Sequence, residues 1–243
     1  MIHFAPFKHC RWILLPGLFL IGACTGCKDD TVAPSSLPSY QAYFPIDSGT
    51  WIEYDADSVV HLPVDDAGEV DTAVEFYHFQ LREVIDSVFI DGEGDTAIRI
   101  NRYRRENDTL PWEYFNLWTA KRTSENVERT EDNVRFVKLA FPIDARKSWN
   151  GNAYNFFLEE VYIYRDLFQA KSVGPYAFDQ TITVLQNEFS SNINRIYKEE
   201  IYARDVGMIQ KQSDSVSVLI QSSGLPLILN GTEYTLTVRD YGH

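Results

Sequence analysis

The chain has 243 residues, a formal net charge of −13 and 14% aromatic residues. That charge opposes nucleic-acid binding, which depends on Lys and Arg to neutralise phosphates, and it repels anionic headgroups as well. The cysteines are Cys10, Cys24 and Cys27, so everything after residue 27 folds without a disulfide and needs a hydrophobic core, which this length supplies. In chain order the first element is a short basic start with Lys8 and Arg11, then an apolar run from Trp12 to Ile21, then small residues leading into a cysteine. This is the layout of a secretory signal, and it is shorter than the roughly 20 apolar residues of a spanning helix.

Ile21-Gly22-Ala23-Cys24 resembles the lipobox of bacterial lipoproteins, an aliphatic residue and two small ones before a cysteine. In that family the signal is cut before the cysteine, which is then acylated. The alternative is Cys27, because Cys27-Lys28-Asp29-Asp30 is similar to the Lys-acid-acid tract that follows the lipidated cysteine in Bacteroidota-type lipoproteins, where it accompanies export to the outer face of the outer membrane. The resemblance implies a protein held on the outer membrane, periplasmic or surface-exposed, by its N-terminal lipid. Each buried methylene contributes about 0.8 kcal/mol, so one acyl chain holds weakly and two or three hold durably. Residues 1–23 are then the signal, 24–39 a Pro- and Ser-containing flexible tether, and 40–243 the folded domain.

From Tyr40 onward, short runs rich in Val, Ile, Thr, Tyr and Phe alternate with turn residues. The expected strands are Thr50–Tyr54, Val59–Leu62, Phe76–Ile90, Ala97–Arg105, Trp112–Thr119, Val134–Phe141 and Phe156–Tyr164 (Phe156–Leu167 also fits a short helix), then Thr181–Gln186, Ile193–Tyr202, Met208–Gln212, Val216–Gln221 and Tyr234–Arg239. Asp91-Gly92-Glu93-Gly94-Asp95 interrupts two of them and predicts a hairpin, with Val84, Val88 and Ile90 sharing a face with Ile98 and Ile100. Many strands without intervening helices predict an all-β fold, an antiparallel meander forming a curved sheet, half-barrel or barrel-like sandwich. Phe44-Pro45-Ile46-Asp47 recurs as Phe141-Pro142-Ile143-Asp144, each followed by a tryptophan, Trp51 and Trp149. The repeat marks either two similar β halves or one useful corner used twice, and the unaligned flanks favour the corner.

These Phe-Pro corners, with Tyr202-Ala203-Arg204-Asp205-Val206-Gly207-Met208-Ile209, resemble segments of a loose group of uncharacterised β-rich bacterial lipoproteins. The second corner departs from the pattern, with Arg146 and Lys147 in place of a glycine. The group implies a curved antiparallel sheet and no reaction.

Catalytic constellations are sparse. His61, His78 and His243 follow the anchor without ligand spacing, and no thiol accompanies them, so neither a metal nor a cofactor is expected. The loop Asp91–Asp95 lacks the glycine that a calcium loop needs at its sixth position and has Arg102 at its twelfth, so turn chemistry explains it. No Gly-x-Ser-x-Gly elbow, phosphate-binding glycine loop or Ser-x-x-Lys pair occurs. Two carboxylates could meet as a glycosidase pair, yet 35 acidic residues make such pairs expected by chance.

Arg102 and Arg104 share a face if they lie on a strand, either gripping an anion or pairing with acids such as Glu83 or Asp86 on a solvated face. Trp112, Tyr114 and Trp118 alternate in step and would form one aromatic stripe, either core or a platform for sugar rings or lipid. The functional expectation is a lipid-anchored, non-catalytic envelope lipoprotein whose β domain binds or scaffolds. A carrier of lipid or another apolar ligand in a half-barrel cavity, a surface glycan binder with these residues as contacts, and a carboxylate-based hydrolase are the alternatives. An envelope protein is a further possible partner.

Overall fold

The computed structural model describes residues 39–63 and 73–243, so the signal, Cys24, Cys27 and nearly all of the expected tether lie outside the described residues. After a 3₁₀ turn at Tyr40–Tyr43 come β1 (Trp51–His61), β2 (Val74–Ile90), β3 (Thr96–Arg105), β4 (Glu113–Arg122), β5 (Asn126–Glu131) and β6 (Val134–Ala140). The second six are β7 (Ser148–Asn150), β8 (Val161–Val173), β9 (Tyr176–Ser190), β10 (Asn194–Ala203), β11 (Gly207–Ile220) and β12 (Pro226–Gly242). They form one antiparallel sheet in the order β6-β5-β4-β3-β2-β1-β12-β11-β10-β9-β8-β7, nearly closed into a barrel. The all-β meander expected from the sequence is the architecture found.

Closure runs through the chain ends, with Trp51 opposite Gly242 and His61 opposite Gly231. The seam lies between β6 and the short β7, and it is stitched by other means. Val137 N–H donates to Gly151 O at 2.9 Å, and the Trp149 indole N–H donates to Val137 O at 2.9 Å. The Tyr164 hydroxyl donates to Ala140 O at 2.8 Å and accepts from Ala140 N–H at 3.0 Å, standing in for a missing strand.

Several boundaries differ from the sequence reading. Thr50–Tyr54 and Val59–Leu62 belong to one strand, and so do Met208–Gln212 and Val216–Gln221, because the polar residues between them alternate across the sheet and do not turn. Phe156–Glu160 is a loop before β8. The polar strand β5, Asn126-Val-Glu-Arg-Thr-Glu, carries a single apolar residue, Val127, and so shows no apolar alternation. In the first hairpin, the register slips at Asp86: Ile85 faces Ile100 and Val88 faces Ile98, while Val84 faces Asn101. That bulge puts Val84 on the opposite face from Val88, so Glu83 and Ile85 point inward in its place. The two Phe-Pro corners also diverge: Phe44–Asp47 leads into β1, whereas Phe141–Pro142 is a cis bond leading to the seam.

The interior is graded along the barrel axis. Near the end where β1 begins, Tyr54, Ile98, Ile100, Val127, Leu139, Ile182 and Val184 pack into one apolar cluster. The 3₁₀ turn caps this end. Arg122 donates to Gln41 O and Phe44 O, Gln41 donates to Thr123 O, and Asp205 N–H donates to Ala42 O, so the cap bridges the β4–β5 and β10–β11 turns. Further along β3, β5, β6, β10 and β11 the inward residues become charged. Outside the barrel, the β8–β9 tip folds onto β10–β12, where Val173 and Phe178 pack on Ile201, Ile209 and Val238.

Candidate functional site

Strand alternation places Arg102 after Ile100, Arg129 and Glu131 after Val127, and Glu200 and Lys198 beyond Tyr202, all on the inner face. Two register slips add to them. The β5–β6 ladder skips Lys138, and the β9–β10 ladder skips Gln186, so each extra residue turns inward beside its neighbours. A charged network results. Glu83 accepts from Arg102 Nε at 3.0 Å and from Arg129 at 2.5 Å. Lys138 Nζ donates to Glu200 at 2.5 Å and lies 3.2 Å from Glu131, while Tyr202 donates to Glu200 at 2.7 Å. Lys211 Nζ sits 3.6 Å from Glu200 and 3.8 Å from Glu131.

These are buried charges: Glu200 is 0% exposed and Lys138 is 2% exposed. Burial alone would raise the Glu131 and Glu200 carboxyls, but the ammonium groups of Lys138 and Lys211 outweigh it and hold both below the usual carboxylate range. Burial would likewise lower Lys138, yet Glu131 and Glu200 hold its proton more tightly than in water. Desolvation drives the Tyr54 and Tyr202 phenols well above their ordinary value, so both stay neutral hydrogen-bonding groups.

The residues singled out by sequence fall partly into this network. Arg102 and Arg104 share the inner face as expected, Arg104 opposite Leu81 and Arg102 opposite Glu83. The Glu83 partner is the one anticipated, but the pair is buried and not on a solvated face. Arg104 is exposed at the barrel rim over Phe79, 4.0 Å from its ring. The aromatic stripe does not form. Trp112 precedes β4 and lies under Arg105 at 4.2 Å, and a bulge at Phe115 sets Tyr114 opposite Tyr103 on the outer face. Trp118 turns inward between Arg102 and Arg129, at 3.4 and 4.5 Å, with its N–H donated to Asp132. Sequence reasoning missed Glu131, Lys138, Glu200 and Lys211. Their one signal was strands whose inward positions read polar, such as β5, next to residues that pack.

Where the network approaches the uncapped end it opens into a cleft of about 130 Å³, lined by Glu131, Phe136, Lys138, Glu160, Tyr162, Gln186, Lys198, Lys211 and Ser213. Lys198 donates to Glu160 at 3.2 Å, and Asn187 donates to the same oxygen at 2.7 Å. The loop 151–160 forms one lip, with Phe157 stacked on Phe136 and with Phe156 82% and Leu158 90% exposed. Phe76, Ile193 and Leu225 are exposed on other segments at this end.

Two other features carry no chemistry of their own. Asp91, Glu93 and Asp95 converge, but the Lys121 ammonium sits among them, 3.5 Å from Asp91 and 3.1 Å from Asp95 and bonded to Glu93. The carboxylates hold its proton more tightly than water does, and turn bonds from Glu93 and Asp95 N–H to Asp91 complete the hairpin. The histidines stay apart: His61 meets Glu233, His78 meets Asp57 and His243 meets Thr50.

No protein-family model matches the chain, and no curated protein matches it. Two solved structures are similar to it in outline: a candidate exported protein with a YmcC-like fold from Bacteroides fragilis NCTC 9343, and a candidate lipoprotein from Parabacteroides distasonis ATCC 8503. The first is 11% identical with a TM-score of 0.39, the second 9% identical with a TM-score of 0.40, and each comparison covers 82% of this chain and 98% of the other. At that degree of similarity neither structure informs the site.

Proposed function

We propose that this chain is a lipid-anchored envelope lipoprotein whose barrel is a non-catalytic binding module, tethered at its capped end and presenting its mouth to a ligand or partner. The observation that carries the reading is the polarity of the barrel. The chain enters across one end, where Tyr40–Tyr43 closes it, and the charged cleft with its apolar lip lies at the other. The lipobox at Cys24, or the Lys-Asp-Asp tract after Cys27, supplies the anchor.

The buried carboxylates do not favour a hydrolase. General acid–base work calls for a group whose proton affinity sits near the working pH, and Glu131 and Glu200 are driven the other way. An apolar-ligand carrier has less support, since packed apolar side chains fill the capped part of the barrel and ion pairs fill the part toward the mouth. The apolar pocket beneath the cap, between Trp51, Ile98 and Met208, holds about 50 Å³, less than the 130 Å³ of the charged mouth cleft. Glycan capture on Trp112 and Trp118 loses its platform, because both indoles are half-buried with guanidinium groups over their faces.

Growth with a clickable fatty acid tests the anchor. Either Cys24→Ser or Cys27→Ser abolishes labelling and releases the protein from the membrane fraction, whereas an unlabelled wild-type chain overturns the reading. Turnover in a hydrolase panel that disappears in Glu131→Gln would overturn its non-catalytic part.

A further inference from the structure

We propose that the mouth cleft binds the carboxylate of an organic acid, held by Lys211 and Gln186, with the body of the ligand packed against Phe136 and Tyr162. This rests on the reading of the mouth as the binding face and adds what it binds.

Three observations converge on that chemistry. Gln186 is 6% exposed, and its Nε2 has no hydrogen-bond partner among the described residues. A buried amide donor left unpaired costs stability comparable to a lost hydrogen bond, and a bulge places Gln186 among the residues that line the cleft. Lys211 lines the same cleft. Its ammonium lies beyond hydrogen-bonding distance from both of its carboxylates, at 3.6 and 3.8 Å, and Lys138 already occupies them more closely. The Lys211 ammonium and the Gln186 amide N–H are both without an acceptor at hydrogen-bonding distance, and one ligand acceptor group could serve both.

Charge narrows the class further. The connected network joins Arg102, Arg129, Lys138 and Lys211 to Glu83, Glu131 and Glu200, one cation more than its carboxylates, within a chain of net charge −13. The neighbouring Lys198–Glu160 pair is balanced. A monoanion in the cleft would bring the acceptor that Lys211 lacks at hydrogen-bonding distance. A carboxylate brings that charge on two coplanar acceptors, enough to meet the Gln186 amide with one oxygen and the Lys211 ammonium with the other. Phe136, stacked on Phe157 of the exposed lip, and Tyr162 offer apolar surface to what carries it.

The test is calorimetric titration of the full chain in detergent micelles, with micelles alone subtracted and ionic strength matched. The probes are sodium glucuronate and sodium hexanoate, their neutral counterparts glucose and hexanol, and inorganic phosphate. At least one acid binds saturably and its neutral counterpart binds about tenfold more weakly or not at all, as loss of a charged hydrogen bond requires. Which acid binds tells whether the body is a sugar ring or an alkyl chain. Lys211→Met and Gln186→Leu each weaken that binding by about tenfold or more, while Gln186→Leu keeps or raises the unfolding temperature. Should Lys211→Met fail to fold, Gln186→Leu decides alone, since it removes no charge. Binding of neither acid, tighter binding of phosphate, or unchanged affinity in Gln186→Leu overturns the proposal. Equal binding of acid and neutral counterpart overturns the carboxylate assignment alone and leaves the mouth standing as a binding face.

Discussion

Lys138 and Glu200 each need the other, because neither reaches enough water to be solvated alone. Removing one partner of such a pair strands a charge, so Lys138→Met is expected to cost about 3–5 kcal/mol. Replacing both in Lys138→Met/Glu200→Leu should recover most of that loss in urea denaturation, since a packed apolar pair is close to neutral in exchange. The same groups set the response to pH. The folded state holds the Glu131 and Glu200 protons more weakly than the unfolded chain does. Their contribution is therefore complete above the ordinary glutamate value of about 4.3 and is lost as pH falls through the lower folded values. The acid decline in thermal midpoint should be shallower in Glu131→Gln than in wild type. On the alkaline side Tyr54 and Tyr202 hold their protons more tightly when folded, so stability should fall as pH rises past the ordinary tyrosine value of about 10. A midpoint that stays flat from pH 9 to 11 would contradict the neutral, buried phenols.

At the level of elements, the weak place is the seam, where side chains do the work of a ladder. Tyr164→Phe deletes both bonds to Ala140 and leaves a buried N–H and C=O without their partner, an expected loss of about 1–3 kcal/mol in chemical denaturation. Faster amide exchange in β6 than in β5 should accompany it, because β6 has a full backbone partner on one side alone. The β8–β9 tip is held by a close approach. Gly174 has φ +56, and a Cβ there would lie 2.2 Å from Val238 O. Gly174→Ala is expected to lift the tip off β12 and cost on the order of 1–3 kcal/mol. Protease nicking near residues 173–176 would report it, and an unchanged nicking rate would show that the tip does not depend on that contact.

For the whole molecule, β12 is the closing strand, hydrogen-bonded to β1 on one side and β11 on the other. Its partner in β1 lies almost the full length of the domain away, so folding must close a long loop before the last ladder rewards it. Deleting residues 226–243 opens two strand edges and exposes the inner face, and the shortened chain should lose its cooperative thermal transition. Retention of a sharp transition by circular dichroism would mean that the remaining six-strand and five-strand meanders are stable apart. The axial grading of the interior, apolar near the cap and charged toward the mouth, also belongs to this scale, since no single strand contains it.

Turn residues and period-two alternation in the sequence determined the all-β class, the meander and most strands, because turn preference and alternation are local properties of the chain. They identified Arg102 and its partner Glu83 for the same reason, as charges spaced to face each other across neighbouring strands. The polar strand β5, the inward Lys138 and Gln186, the Asp86 bulge and the broken aromatic stripe were decided by tertiary structure. A charge can replace an apolar residue inside a barrel when its counter-charge arrives from a distant strand, as Glu200 of β10 does for Lys138 of β6. Bulges reverse which side chains face in without leaving a mark in the local pattern. Alternation tells which residues lie together on a face, and only closure of the sheet told which face is inside and what the charges on it meet.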